Sequence, residues 1–246
     1  MKIDQTVFNK FINSNFLFEK KPEIAVAVSG GPDSMALLFL LSNWVKKNKG
    51  NLIALIVNHN LRSDSFVEAK FVRKYLLDRK IKAKILEINK AKIKKKNMQE
   101  ARINRFNILN SYCLRNNILH LFFGHHKDDN LETFFIRKIA GSNIEGLMSI
   151  QKKTIYNKVR VLRPMLKYKK KDILKYTKNN NIEFVQDPSN DNLQYTRIKV
   201  RSFLFQDKFT KSFVQKDFDK INNLHPLYKK MIFQILNKLT IQITSK

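Results

Sequence analysis

The sequence predicts an α/β fold: a doubly wound parallel sheet with a small helical extension at the carboxyl end. Three observations carry that prediction. Apolar runs of strand length alternate four times with stretches of helix length before Gly141, a spacing that fits βαβ crossovers. The unusual polar residues of the chain fall directly after three of those apolar runs, where open α/β sheets bind their ligands. Beyond Gly141 the alternation stops and helical patterns take over.

Each element has its own signal. At the amino end Val7, Phe8, Phe11, Ile12, Phe16 and Leu17 recur at helical spacing. Pro22 breaks that pattern, and Ile24–Val28 reads as a buried strand. A helix follows from about Ser34 to Lys49, closed by Gly50. Leu52–Val57 is the second strand, and Ser65 with Glu68 resembles a capping box opening a helix to about Arg79. Ile81–Ile88 alternates as the third strand, and a helix covers about Asn97 to Asn116. Ile118–Phe123 is the fourth strand, followed by a helix from about Asn130 to Ala140. Further on, Arg163-Pro164 marks an extended or turn segment, Lys170 to about Asn179 a helix, and Asp187-Pro-Ser-Asn190 a turn. Helices are expected over about Gln194–Phe205 and Leu227–Leu239, with Phe209–Leu224 undecided.

Composition narrows the class of function. A chain of 246 residues is ample for a buried core. Its 48 Lys+Arg against 20 Asp+Glu, a formal charge of +28 spread along the chain, call for a polyanionic partner, nucleic acid first and an anionic membrane surface second. Lys, Asn and Ile are all abundant, so part of the excess is compositional bias. The runs Lys92–Lys96 and Lys167–Lys171 read equally as solvated faces or phosphate rails. The single Cys113 fits core packing in a reducing compartment. No signal peptide is visible, and the longest apolar run, Met35–Leu41, falls far short of the roughly 18 residues a membrane span needs. A cytoplasmic protein without membrane association is expected.

The stretch Ser29-Gly-Gly-Pro-Asp-Ser34 follows the first strand. Gly30 and Gly31 permit backbone conformations closed to other residues. Ser29 and Ser34 offer hydroxyls, and the following helix presents its free amides to an anion. The loop is neither a Walker loop nor a Gly-x-Gly-x-x-Gly turn. Asp33 is the informative oddity, because a carboxylate beside phosphate is repulsive unless a divalent cation bridges them. That combination points to a nucleoside triphosphate with magnesium; the bland alternative is an Asp-Ser cap on a glycine turn. The second constellation is Gly124-His-His-Lys-Asp-Asp-Asn-Leu-Glu-Thr133, with three carboxylates in a strongly basic chain. Asp129 and Glu132 are spaced to share a helix face turned into the crevice. Such a pair can hold magnesium, bind a substrate ammonium or act as a general base. A transition-metal centre is disfavoured, since His59, His120 and His225 supply no further ligand cluster.

These residues resemble a known family. Ser29–Ser34 looks like the pyrophosphate loop of the N-type ATP pyrophosphatases, the PP-loop ATPases with a Rossmann-like fold. Within that superfamily the chain is similar to the tRNA(Ile)-lysidine synthetases from about Ile24 to Phe203. The matching segments are the loop, Asn58-His-Asn-Leu-Arg62, Gln99-Glu-Ala-Arg102 with Arg105, and His125–Thr133. They continue with Gly141–Leu147, Arg163-Pro164, and Asp187–Asp191 followed by Tyr195, Arg197 and Arg201. The resemblance implies that ATP adenylates the 2-carbonyl oxygen of the wobble cytidine in a minor isoleucine tRNA with a CAU anticodon, releasing pyrophosphate. The amine of free L-lysine then displaces AMP and gives lysidine.

It also implies roles. Ser29, Gly30, Gly31, Pro32 and Ser34 would hold the pyrophosphate, with Asp33 on magnesium. Asp129 and Glu132 would receive the lysine ammonium, and His125 would lie near ATP. Arg102, Arg105, Arg197 and Arg201 would clamp phosphates of ATP or of the anticodon loop, and His59 and Arg62 would line the adenine and tRNA side. The expected division is a catalytic domain over 1–205 and a short helical extension over 206–246. Many family members carry a further tRNA-binding region, whereas about forty-five residues follow Arg201 here; the basic stretch Asp207–Lys246 is expected as a reduced substitute. Asn130 stands where the family usually has glutamine. A homodimer is compatible with the sequence. Two other readings are a tRNA-thiolating relative, disfavoured by the lone Cys113, and a catalytically silent RNA-binding relative, disfavoured by Asp33, Asp129 and Glu132.

Overall fold

The computed structural model describes residues 2–58, 65–88, 98–185 and 196–244. Its helices are α1 (Gln5–Asn15), α2 (Pro32–Lys47), α3 (Ser65–Asp78), α4 (Met98–Arg115), α5 (Lys127–Ile139), α6 (Ile144–Leu147), α7 (Lys170–Asn179), α8 (Thr196–Gln206) and α9 (Lys208–Thr244). The strands are β1 (Glu23–Val28), β2 (Asn51–Asn58), β3 (Lys82–Glu87), β4 (His120–Phe122), β5 (Lys153–Tyr156) and β6 (Val159–Leu162). They form two compact units, Met1–Lys127 with Lys152–Asp187, and Asp128–Gln151 with Pro188–Lys246.

The first unit is the α/β fold the sequence predicts. Its sheet has the order β3-β2-β1-β4-β6-β5, parallel throughout except for the β5–β6 hairpin. From β1 the chain steps outward to β2 and β3, then returns to place β4 on the opposite side of β1. The order therefore reverses between β1 and β4, and the ends of those two strands frame the ligand crevice of such sheets. Side-chain alternation along β1 explains why both faces are covered. Ile24, Val26 and Val28 pack with α1, α2, α3 and α7, whereas Ala25 meets Leu109 and Cys113 of α4 on the other face. Helix α2 is buried nearly all round, which accounts for the unbroken apolar run Met35–Leu41. Burial pushes the Cys113 thiol up to about 12, as befits a core side chain rather than a reactive one.

Three expectations need correction. Helix α2 does close in a Schellman turn, but the left-handed residue is Lys49, at φ 52, not Gly50. The amide of Gly50 donates to the Val45 carbonyl at 3.1 Å, and a Cβ there would lie 2.3 Å from the Pro22 carbonyl oxygen. Gly50 is thus required by close approach rather than by its φ. Strand pairing also continues beyond Gly141, in a hairpin whose turn residues Asn157 and Lys158 have φ 44 and 69. Such a turn needs positive φ at both central positions and is usually announced by Asn-Gly; Asn-Lys hides it. Pro164, expected in an extended or turn segment, opens a short 3-10 helix over Pro164–Lys167.

The second unit is helical, with a small core of Leu131, Phe134, Leu204 and Val214. The undecided stretch Phe209–Leu224 is part of α9, one helix of 37 residues that contains Pro226. No helix among the described residues is long and apolar enough to cross a membrane.

Candidate active site

The loop after β1 is built by residues that each have a backbone reason to be there. Gly30 adopts φ 85, and a Cβ on it would lie 2.9 Å from Val72 Cγ2. Its carbonyl accepts from the Val185 amide at 2.9 Å. Gly31 precedes α2, and Pro32 opens it, where the missing N–H costs nothing and the fixed φ suits the first turn. The buried Ser34 hydroxyl donates to the Gly31 carbonyl at 3.0 Å and accepts from the Ser29 amide at 3.2 Å. Ser29 Oγ lies 3.3 Å from Ser34 Oγ. The two hydroxyls therefore brace the loop across its mouth, over the free amides of α2.

Asp33 sits in the first turn of α2. Its Oδ2 accepts from Lys170 Nζ at the start of α7. Its Oδ1 lies 3.8 Å from His126 Nε2; it is buried and accepts no hydrogen bond among the described residues. No group of three His, Cys, Asp or Glu among the described residues could hold a metal alone. A carboxylate oxygen that accepts no hydrogen bond, beside a phosphate loop, fits magnesium, which takes one or two protein carboxylates and completes its shell with substrate phosphates and water.

The loop after β4 meets this one directly. A Cβ on Gly124 would lie 2.9 Å from the Asp33 carbonyl oxygen, so only glycine lets the two backbones touch. Gly124→Ala is expected to force the loops apart and weaken ATP binding by tenfold or more, on the order of 1–2 kcal/mol. Isothermal titration with ATP checks this, and unchanged affinity would show that the contact does not shape the loop.

Helix α5 begins at Lys127, three residues before its predicted start, so Asp129 lies in its first turn; from Asp128 on it belongs to the second unit. Glu132 is fully buried. Arg197 of α8 donates to Asp129 Oδ1 at 2.7 Å and to Glu132 Oε2 at 2.8 Å. Arg201, one helical turn on, donates to Glu132 Oε1 at 2.7 Å. The acids predicted to share a face do so, and the predicted phosphate-clamping Arg197 and Arg201 are their ion-pair partners. Asn130 is also buried, its Oδ1 accepting from the Ile150 amide at 2.7 Å.

Back in the first unit, His125 and Arg102 line a pocket of about 300 Å³ with Arg105 and Arg163. Burial, and secondarily the charge of Arg102, lowers the Arg163 guanidinium to about 10. Sequence reasoning gives Arg163, Lys170, His126 and Gly124 no individual role, although Gly124 and His126 stand in the constellation Gly124–Thr133, Arg163 in the Arg163-Pro164 pair and Lys170 in the basic run Lys167–Lys171. His59, Arg62, Lys92–Lys96, Asp187–Asp191 and Tyr195 lie outside the described residues.

A glycine-shaped phosphate loop at the switch point of a doubly wound sheet, with a carboxylate in the next helical turn, defines a class. A model described as a PP-loop domain matches residues 1–208, and the chain belongs to the PP-loop family, as its motifs imply. More narrowly, it is similar to the tRNA(Ile)-lysidine synthase of Orientia tsutsugamushi (strain Boryong), at 38% identity over 205 residues. It is similar also to the tRNA(Ile)-lysidine synthase of Wolbachia pipientis wMel, at 40% over 202 residues. Each match covers 81% of this chain and 46% of the relative, so the chain spans about half the length of the curated relatives it matches. Among solved structures, the U34-tRNA thiolase NcsA from Methanococcus maripaludis shares the fold at a TM-score of 0.71 and 17% identity, covering 88% of this chain and 78% of that one.

Proposed function

We propose that this protein is a cytoplasmic tRNA(Ile)-lysidine synthetase, which joins free L-lysine to C2 of the wobble cytidine in a CAU anticodon at the expense of ATP. The similarity to two synthases of that name carries the reading. The braced loop, Asp33 and the acid pair Asp129 and Glu132 support it. The catalytic domain would extend through about 205 and the helical extension from 206.

In the first step the 2-carbonyl oxygen of the cytosine attacks the α-phosphorus of ATP, forming a P–O bond as the bridge to the β-phosphate breaks. The α2 amides and the loop backbone would hold the departing pyrophosphate. Asp33 would hold magnesium, which when bound neutralises the charge gathering on that leaving group. In the second step the lysine amine attacks C2, the C2–O bond breaks, and AMP departs. Only the unprotonated amine is nucleophilic, so its extra proton must go to a base; Asp129 or Glu132 would take it. Arg197 and Arg201 keep both acids fixed between turnovers, and one carboxylate would exchange a guanidinium for the incoming ammonium.

A thiolating relative would need sulfur-handling cysteines, and the one cysteine here is buried in the core. The test is direct: purified protein, ATP, magnesium, lysine and the CAU-anticodon isoleucine tRNA transcript, followed by nucleoside mass analysis. AMP and lysidine are expected together; AMP-free reactions without lysidine would refute the assignment.

A further inference from the structure

Lys170 is the first residue of α7, preceded by Lys169 and followed by Lys171. Positive charge at the amino end of a helix lies against the helix dipole, so local energetics do not favour a cation there. Anchoring α7 does not require one either. Tyr168, just before the helix, and Ile173 within it are fully buried and belong to the same apolar cluster as Leu37, Leu38 and Leu41 of α2. Burial of that kind outweighs a partly exposed ion pair. The Lys170 and Asp33 side chains are 38% and 25% exposed, a range in which such pairs add little stability. What the pair does is bring a cation to the carboxylate beside the phosphate loop: Lys170 Nζ donates to Asp33 Oδ2.

The two oxygens of Asp33 are in different circumstances. Oδ2 receives the lysine, while Oδ1 is buried, accepts no hydrogen bond among the described residues and lies 3.8 Å from His126 Nε2. A carboxylate in the first turn of α2 suits that helix's dipole, but a triphosphate arriving beside it meets like charge. A divalent cation removes that repulsion once bound. Until then the protein itself must supply the counter-charge. With Lys170 in place the Asp33 locus carries no net charge; without it the locus carries one negative charge. A hydrogen bond to a single oxygen also fixes the rotation of the carboxylate, so the lysine engages one oxygen and leaves the other for the metal.

Resting on the ATP and magnesium reading proposed above, we infer that Lys170 is a positioning residue for Asp33. It neutralises the carboxylate while the metal is absent and holds Oδ2 so that Oδ1 is kept for the cation. The test is isothermal titration of the full chain with ATP, once in excess EDTA and once in excess magnesium. Lys170→Met is expected to weaken metal-free ATP binding by roughly tenfold or more, and binding with magnesium by less than about threefold. Adding Asp33→Asn to Lys170→Met returns the locus to zero charge, so metal-free binding should recover to within about threefold of the wild type. Lys170→Arg keeps the charge and should stay within about threefold in both conditions. The melting temperature of Lys170→Met should move by no more than about 4 °C, and Lys170→Gln serves as a second neutral variant. An equal loss with and without magnesium that Asp33→Asn does not repair overturns the inference, because Lys170 would then act on ATP without Asp33. Metal-free binding indifferent to Lys170 overturns it as well. If the wild type makes no lysidine yet the ATP pattern holds, the positioning role stands and the catalytic reading falls. If lysidine forms while metal-free binding is unchanged in both neutral variants, only the positioning role falls.

Discussion

Asp33→Asn is expected to reduce AMP formation by on the order of 10³-fold or more while the protein stays folded. The amide keeps the size of the side chain but not its charge. The buried Oδ1, which accepts no hydrogen bond among the described residues, would lose its capacity to bind a cation. Lys170, whose Nζ donates to the other oxygen, would be left facing a neutral group, and the backbone and hydroxyls of the loop are unchanged. ATP therefore should still bind, and the loss should fall on kcat. Pyrophosphate release at near-normal turnover in the variant would remove Asp33 from the proposed magnesium site.

Glu132→Gln is expected to act on both stability and substrate choice. The wild-type carboxylate is buried and receives two arginines at 2.7 and 2.8 Å. Neutralising it weakens the hold on two guanidiniums that are each a third or more exposed, and Arg197 keeps Asp129 at 2.7 Å, so the cost is about 1–2 kcal/mol. In a protein of this size that lowers the thermal midpoint by roughly 2–8 °C. Below the new midpoint the KM for lysine should rise well over tenfold, on the order of 1.4 kcal/mol or more, with the KM for ATP little changed. A full thermal shift with unaltered lysine dependence would leave Glu132 as a scaffold for α8 and move the ammonium site elsewhere. Paired measurement of melting and of the two KM values separates these outcomes.

The parts of this molecule legible in its sequence are those whose causes are local. Strands β1 and β2 are covered on both faces and so read as continuous apolar runs. The phosphate loop is announced by Gly30 and Pro32, each fixed by backbone geometry within its own turn. The edge strand β5 is mostly exposed, and its turn is made by Asn157 and Lys158 without glycine, so neither period nor punctuation marks it. The acid pair was legible because Asp129 and Glu132 are three apart on one helix. Their arginine partners read from sequence only as cations, and the pairing with the acids across 65 residues or more leaves no trace in spacing. Lys170 lies 137 residues from Asp33, and only the return of α7 to the face of α2 joins them. Gly124 likewise gains its meaning from a backbone far away in the chain.

The helical unit is assembled from two separated stretches of sequence, and this limits how the protein can be dissected. Cutting the chain before α8 would not yield a tidy sheet domain. It would leave α5 attached while removing Leu204 and Val214, which cover Leu131 and Phe134, together with both arginines that balance the buried Glu132. The remnant would carry a bare apolar stripe and an uncompensated interior acid on the same helix, a recipe for aggregation rather than for a minimal nucleotide-binding fragment. Functional dissection of this protein is better done by point substitution than by truncation.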